Sequence, residues 1–526
     1  MLKSLVSYLW GTSTCNISLE DAYGTLDVVD SFYNQKQEVN DEELDYICYH
    51  RTERNALNIN DIDIKRSEYI HGGLTFKLEW FDKSLNHYQK EAVRHVLLGE
   101  ARPLPYFIFG PPGTGKTVTL VETILQILRM ASSRILVATP SNSAANLISL
   151  RLIKSGVLKP APYCATVNVG IDGTGSHSSV VTETGLILGA NSKTIGKHRV
   201  TVSTCASIGA LYAMSLSKGQ FSHIIIDEAG QATEPEIMIP LSFLDISSGQ
   251  CVLAGDPMQL GPVVCSKYAC DFGLYESFME RLLNRFPYIR DIESFPKTGG
   301  YDPKLVTKLL YNYRSLPGVL ELANSMFYFS ELKPTISAED SELSKMLLGF
   351  KEFLPKGNTD IPPAFVFHGV DGENYQVRDS PSWYNPHEIS QVFFYVNELY
   401  RAGCTAEDIG IITPYSKQTK EIRAVLSEAE FDVPKVGTVE EFQGQEFKVI
   451  ILSTVRSNKN ILPCDSLHNL GFITQPKRLN VALTRAQALT IVVGNPHLLI
   501  HDSSWRYIIT FAVKNGCYCG CDIPIL

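Results

Sequence analysis

Tyr106-Phe-Ile-Phe-Gly110-Pro-Pro-Gly113-Thr-Gly115-Lys116-Thr117-Val118 decides the fold. Four apolar residues, Tyr106–Phe109, enter a glycine-rich turn. The turn enters a stretch, Thr117–Ala131, in which Val118, Val121, Ile124, Leu125 and Leu128 share one helical face. Strand, Gly-x-x-x-x-Gly-Lys-Thr loop and helix, in that order, are the setting of a phosphate-binding loop. Glycines let backbone N–H groups approach phosphate oxygens, and the helix N-terminus adds a partial positive charge. The loop residues Gly110, Pro111, Pro112, Gly113, Thr114, Gly115, Lys116 and Thr117 are therefore expected to hold ATP. Lys116 is expected at the β- and γ-phosphates, and the Thr117 hydroxyl on Mg²⁺.

Working outward, short apolar runs alternate with helical patterns. Arg134–Ala138, His223–Ile226 and Cys251–Ala254 read as further buried strands. The alternation returns after residue 360. There Ala364–Phe367, Ile409–Ile412, Val449–Leu452 and Leu489–Val493 read as strands, and Pro386–Tyr400 and Lys417–Ala429 as helices. The expected fold is α/β, with two tandem parallel-sheet domains and an ATP cleft between them. Residues 81–300 are assigned to the first and 301–526 to the second, with the meeting point near 295–310. A glycine- and serine-rich stretch, about residues 153–197, reads as an insertion in the first sheet.

Two further strand ends carry chemistry. Asp227-Glu228-Ala-Gly-Gln231 follows Ile224-Ile-Ile226. Taken alone, the two acids would also suit a helix cap. Beside a phosphate loop they suit Asp227 as an Mg²⁺ ligand, direct or through water, and Glu228 as the base that orients and deprotonates the attacking water. Gly255-Asp-Pro-Met-Gln259-Leu260 also follows a strand; it reads either as a plain turn or as a γ-phosphate sensor through Gln259. Phosphoryl transfer gains from a cation on the γ-phosphate, on the order of 10³–10⁵ in rate for an arginine finger. Arg314 and Arg485 are candidates, although spacing alone does not select them.

Composition bounds the rest. The chain has 526 residues, 44% hydrophobic and 20% charged, with a net charge of −9. Between Asn16 and Ile64 twelve acids face three bases, so this stretch accounts for the whole net charge and leaves the remainder neutral. Residues 1–80 are expected to be an acidic, mostly linker-like segment. Leu2, Leu5, Val6, Leu9 and Trp10 give its start a short amphipathic helix. That helix suits docking on the body, or peripheral membrane or partner contact through residues 1–10. No apolar run is long enough for a transmembrane helix. The twelve cysteines form no framework. Cys517-Tyr-Cys519-Gly-Cys521 lacks an evident fourth zinc ligand, which favours buried or free thiols.

Taken together, the motifs resemble superfamily 1 helicases of the Up-frameshift-like group. Leu85-Asn-His-Tyr-Gln89 looks like the Q motif, Thr139-Pro-Ser-Asn142 like motif Ia, Asp227–Gln231 like motif II and Gly255–Leu260 like motif III. Asn312-Tyr-Arg-Ser315 looks like motif IV, Val436-to-Glu446 like motif V and Arg478-to-Ala486 like motif VI. Within the group the chain most resembles the Armitage-type RNA helicases of small-RNA (piRNA and siRNA) silencing. Phe109-to-Glu122, Val436-to-Ser457 and Val492-to-His497 carry that similarity.

The resemblance implies two RecA-like domains and an ATP-dependent RNA helicase moving 5′-to-3′. It implies that Gln89 reads adenine, Tyr313 stacks on the base and Glu446 contacts the ribose. It places Arg314 and Arg485 across the cleft on the γ-phosphate. Pro140, Ser141, Asn142 and Thr204 would line the strand path from the first domain, and Thr413, Pro414 and Thr438 from the second. The partners implied are single-stranded RNA or a duplex with a 5′ tail, and Argonaute- or Piwi-type proteins. The implied location is the cytoplasm, including ribonucleoprotein granules. Relatives carry a β-barrel and stalk helices before the Q motif, where residues 1–80 stand here. This departure and the amphipathic start favour one alternative, an ATP-gated RNA clamp or remodeller that recruits silencing partners without separating strands; a DNA helicase of the same group is a further alternative.

Overall fold

A computed structural model describes residues 68–71, 74–130, 133–155, 164–168, 179–181, 187–189, 199–213, 216, 219–358, 361–376, 382–457 and 475–523. The expected amphipathic helix at residues 1–10 and the acidic stretch to Ile64 lie outside the described residues. The end of the mostly linker-like segment, residues 1–80, carries regular structure. There β1 (Glu68–His71) and β2 (Leu74–Lys77) pair as an antiparallel hairpin, and Leu78 is buried.

The first core domain begins with α1 (His87–Leu98). Asn86 and Gln89 start α1 with a capping box, and Gly99 ends it in the left-handed conformation. Then come β3 (Tyr106–Phe109), α2 (Lys116–Met130), β4 (Ile135–Thr139) and α3 (Asn142–Lys154). The stretch expected as an insertion contributes β5 (Cys164–Asn168), β6 (Ser179–Val181) and β7 (Ile187–Gly189). After it run β8 (Val200–Thr204), β9 (His223–Ile226), β10 (Gln250–Gly255) and β11 (Val306–Lys308). These form one nine-stranded sheet in the order β11-β3-β10-β9-β4-β8-β5-β6-β7. The insertion thus extends the sheet edge: β5 joins β8 in parallel, and β6 and β7 add antiparallel strands. The central strands are buried along their length, which is why they read as continuous apolar runs.

The second domain follows α4 (Pro317–Phe327). It comprises β12 (Phe365–Gly369), α5 (Pro386–Arg401), β13 (Ile409–Ile412), α6 (Ser416–Glu428), β14 (Lys435–Gly437), β15 (Phe447–Ser453), α7 (Pro476–Leu483), β16 (Ala486–Gly494) and β17 (Tyr518–Gly520). Its sheet is wholly parallel, in the order β14-β13-β15-β16-β12-β17. Two parallel-sheet domains in tandem, each with helices, are the RecA-like pair that the sequence implied. No helix among the described residues is long and apolar enough to cross a membrane.

A boundary at 300/301 does not hold. β11 pairs with β3, and Leu305, Val306 and Leu309 belong to the first core. α4 then divides its side chains, with Leu320 in the first core and Leu316, Val319, Leu322 and Ala323 in the second. The strand is only three residues long, too short to show a period in sequence.

Glu388 on α5 is fully buried. Its carboxylate accepts hydrogen bonds from Ser453 Oγ at 2.6 Å and from the Val455 N–H at 2.8 Å. Val455 is held at φ 70°, a left-handed conformation that β-branched residues rarely adopt. Burial pushes the Glu388 carboxyl up to about 7, against the pull of those hydrogen bonds. The native state therefore holds this proton more tightly than the unfolded chain does. The associated stability is full below the ordinary carboxylate range and is lost as pH rises through about 7. Glu388→Gln should remove that slope. The stability of the unaltered chain relative to the variant should fall by on the order of 3 kcal/mol between about pH 5 and about pH 8. Urea unfolding at both pH values measures this, and a pH-independent difference would show that the proton is not coupled to folding.

Candidate functional site

The phosphate loop is built by position. Gly110 follows β3, and its N–H donates to Gly255 O at 2.9 Å, which ties the loop to the end of β10. Gly113 and Gly115 take φ 71° and 81°. A Cβ on Gly113 would lie 2.7 Å from Asn312 Nδ2, and one on Gly115 would collide with Gln89 Nε2. Both glycines are thus required by backbone conformation and by close neighbours. Thr114 closes the turn, its Oγ1 donating to Pro111 O at 2.6 Å.

Lys116 opens α2 and reaches two acids at the end of β9. Its Nζ lies 3.1 Å from Asp227 Oδ1 and 2.7 Å from Glu228 Oε1. Burial disfavours the ammonium, but Asp227 and Glu228 outweigh it and raise its pKa. Burial raises the Asp227 carboxyl despite Lys116. Burial acts the same way on Glu228, but Lys116 overcomes it and holds that carboxyl below its usual value. Lys116 thus favours the ionised form of Glu228, as a base requires. Gln231 Nε2 donates to its Oε2 at 2.9 Å. Glu228 also sits at φ 54°, the kind of local strain that gathers at functional positions.

The residues present fit Mg²⁺ together with a nucleotide phosphate. The Thr117 hydroxyl carries no hydrogen bond among the described residues, and Asp227 stands beside Lys116. No cluster of three or more His, Cys, Asp or Glu among the described residues could hold a metal unaided. A hydroxyl, one acid and phosphate oxygens are the donor set that Mg²⁺ takes in such loops.

Gln259 follows β10. Its Nε2 donates to Asp256 Oδ2 at 2.8 Å, and its Oε1 accepts from Arg485 Nη2 at 3.2 Å. The first domain is thereby joined to the second through two of the residues singled out in sequence. Arg485 is buried, held by Val481 O at 3.1 Å and Gln445 O at 3.2 Å. Burial, and then the Arg314 charge, lower its pKa. Arg314 pairs through Nε with Glu446 and donates from Nη1 to Thr484 O at 3.3 Å. Glu446 Oε1 also accepts from Gln487 Nε2 at 3.1 Å, so both carboxylate oxygens are engaged.

Gln89, expected at adenine, is buried with both amide ends in use. Its Oε1 accepts the Asn86 N–H at 3.0 Å, and its Nε2 donates to Thr114 O at 3.1 Å. In this arrangement it braces the phosphate loop. Tyr313 is 47% exposed, as a base-stacking ring must be, and its hydroxyl accepts from Asn86 Nδ2 at 2.9 Å.

The residues expected on the strand path lie at carboxyl ends of neighbouring strands. Thr139 and Thr204 are partners in the β4–β8 register, which places Pro140–Asn142 beside Thr204. Pro140 is half-buried and Asn142 exposed, while Ser141 caps α3. Thr204 Oγ1 donates to Ser207 Oγ at 2.8 Å. In the second sheet, the Thr413 N–H donates to Gly437 O at 3.0 Å, which sets Thr413 and Pro414 beside Thr438. Thr438 caps a short helix and is half-buried, as is Pro414. Thr413 departs from expectation: it is fully buried, so its side chain does not face a strand here. Its place at the end of a buried strand is the physical reason.

The chain is similar in sequence to known proteins. Two family models, each described as an AAA domain, match residues 84–185 with 188–267, and residues 275–497. "Probable RNA helicase armi" of Drosophila melanogaster is 47% identical over 472 residues, covering 85% of this chain and 40% of that protein. "RNA helicase Mov10l1" of Homo sapiens is 45% identical over 455 residues, covering 85% and 36%. "Putative helicase MOV-10" of Gallus gallus is 40% identical over 485 residues, covering 85% and 48%. The chain belongs to the Up-frameshift-like superfamily 1 helicases. It spans less than half the length of each of these relatives.

Sequence reasoning missed two residues of this site. Asn312 donates from Nδ2 to Pro112 O at 2.8 Å and accepts the Arg314 and Ser315 N–H groups at 3.1 and 2.9 Å. Asn86 both caps α1 and holds Tyr313. Asn86 could have been read from its capping-box spacing; Asn312 acts through tertiary contacts that no spacing reveals. The tail cysteines lie elsewhere, on and beside β17, with Cys519 Sγ 3.4 Å from His368 Nδ1. In Asn312→Ala the loop carbonyl and two turn amides lose their partner. Titration with a fluorescent ATP analogue should show affinity about tenfold weaker, at a temperature where the variant, whose melting temperature the unpaired groups lower, is still folded. Unchanged affinity would count against the bracing role.

Proposed function

We propose that this chain is the motor of an ATP-dependent RNA helicase, an RNA-stimulated ATPase moving 5′-to-3′ on single-stranded RNA in RNA-mediated silencing. The observation that carries it is the bond from Arg485 of the second domain to Gln259 of the first, next to Lys116, Asp227 and Glu228. A site whose cation and phosphate sensor come from different domains ties hydrolysis to domain movement.

The chemistry follows from the side chains. The loop amides and Lys116 bind and orient the triphosphate. Glu228, ionised and steadied by Gln231, takes the proton of the attacking water. Arg485 and Arg314 supply positive charge to the γ-phosphate as it leaves; Arg314 must exchange its Glu446 partner to do so. Bound Mg²⁺ supplies charge neutralisation on the phosphate oxygens. A strand crossing the carboxyl ends of both sheets would be gripped and released as the cleft closes and opens. Backbone contacts of that kind give strong salt dependence and little sequence preference.

Support for RNA comes from the relatives named RNA helicases. The direction, the Argonaute- or Piwi-type partners and the cytoplasmic location rest on the family resemblance. The 2′-OH is the group that would favour RNA over DNA.

ATPase measured with and without single-stranded RNA tests the reading, with Glu228→Gln as the blank. Turnover should rise with RNA and fall by at least about a thousandfold in the variant. A DNA oligomer of the same sequence should stimulate less. A duplex with a 5′ tail should be displaced; stimulation without displacement would mark a clamp, and equal stimulation by DNA would mark a DNA helicase.

A further inference from the structure

Tyr328 has no part in the chemistry above, yet its position is singular. It follows α4, the helix shared by both cores, and is completely buried. Its hydroxyl donates to Asp256 Oδ2 of the first domain at 2.7 Å and accepts from Asn480 Nδ2 of the second at 2.7 Å. Asp256 Oδ2 also accepts from Gln259, and Gln259 accepts from Arg485. Asn480 lies on α7, and Arg485 follows that helix by two residues. The contacts therefore close a ring: Asp256, Gln259, Arg485, α7, Asn480, Tyr328 and back to Asp256. Asn480 adds a second tie to the first domain, donating to Met258 O at 2.8 Å.

One branch of this ring, through Gln259 and Arg485, must rearrange when a γ-phosphate arrives. The other branch reaches no phosphate and can persist. Asp256 is buried, so losing a partner there is costly and the branch is stiff. We infer that Tyr328 is a positioning residue: its hydroxyl holds α7 in register with the Asp256–Gln259 turn, so that Arg485 swings about a fixed point and hydrolysis is coupled to domain movement. This rests on the ATPase reading above.

Tyr328→Phe keeps the ring and removes the hydroxyl. RNA-stimulated kcat should fall by about tenfold or more, while KM for ATP stays within about twofold. Asn480→Ala should give the same split, and the double variant should lose little more than Asn480→Ala alone, because that variant already cuts the Tyr328 link together with the Met258 tie. Should the Phe variant fail to fold, Asn480→Ala reads the same link from the other side. Unchanged kcat, equal losses in kcat and KM, or additive losses in the double variant would overturn the proposal. Energy transfer between dyes on exposed sites of the two domains, read with a non-hydrolysable ATP analogue, separates this from failure of the activity itself. The unaltered chain should close on the analogue and Tyr328→Phe should close less. Equal closure overturns the positioning role even where ATP is hydrolysed. Reduced closure sustains it even where no hydrolysis is seen.

Discussion

Six residues, Tyr311 to Leu316, are bonded to both domains at once, and the geometry of the cleft depends on them. The Tyr313 N–H donates to Gly113 O at 2.8 Å, inside the phosphate loop. Three residues later the Leu316 N–H donates to Gln487 O at 2.8 Å, at the start of β16, and Ser315 Oγ donates to Ala486 O at 2.8 Å. The phosphate loop and the arginine-bearing end of the second domain are thus separated by one short stretch of backbone whose Tyr313, Arg314, Ser315 and Leu316 N–H groups are all hydrogen-bonded. Extended chain rises about 3.3 Å per residue, so such a stretch cannot lengthen much. It can only turn, which is what a hinge needs.

From that constraint the charge pattern becomes intelligible. Lys116 is paired with both Asp227 and Glu228 on the first domain's side. Arg314 is matched by Glu446, and Arg485 by carbonyl and amide oxygens, on the second. Each buried charge thus has a partner before nucleotide arrives, as buried charges must. Binding would exchange these partners for phosphate rather than create new charge in the interior. A cleft arranged in this way can pass between two satisfied states without leaving an ion stranded.

Much of the molecule was legible in the sequence. Strands Tyr106–Phe109, His223–Ile226 and Ile409–Ile412 have the expected ends, because continuous apolar runs between turn residues are what a doubly covered parallel sheet requires. The loop and the Asp227-Glu228 pair were readable for a similar reason: their chemistry is local, set by glycine spacing and by acids at a strand end. The strands of the 153–197 stretch were not legible, since three- to five-residue edge strands among glycines and serines carry no usable period. The burial of Thr413 was not legible, because a strand end looks the same in sequence whether or not its side chain is covered.

What the sequence by itself determined is the kind of protein: two parallel-sheet domains, a phosphate loop and the acids beside it, all written in short-range pattern. What only the tertiary structure decided is how those parts meet. Gln259 finding Arg485, Asn312 bracing Pro112 and Tyr328 standing between Asp256 and Asn480 are contacts between residues 72 to 226 positions apart in the chain. No local rule fixes such pairs. They exist because burial of two hydrophobic cores, sharing α4 between them, brings these side chains to one place.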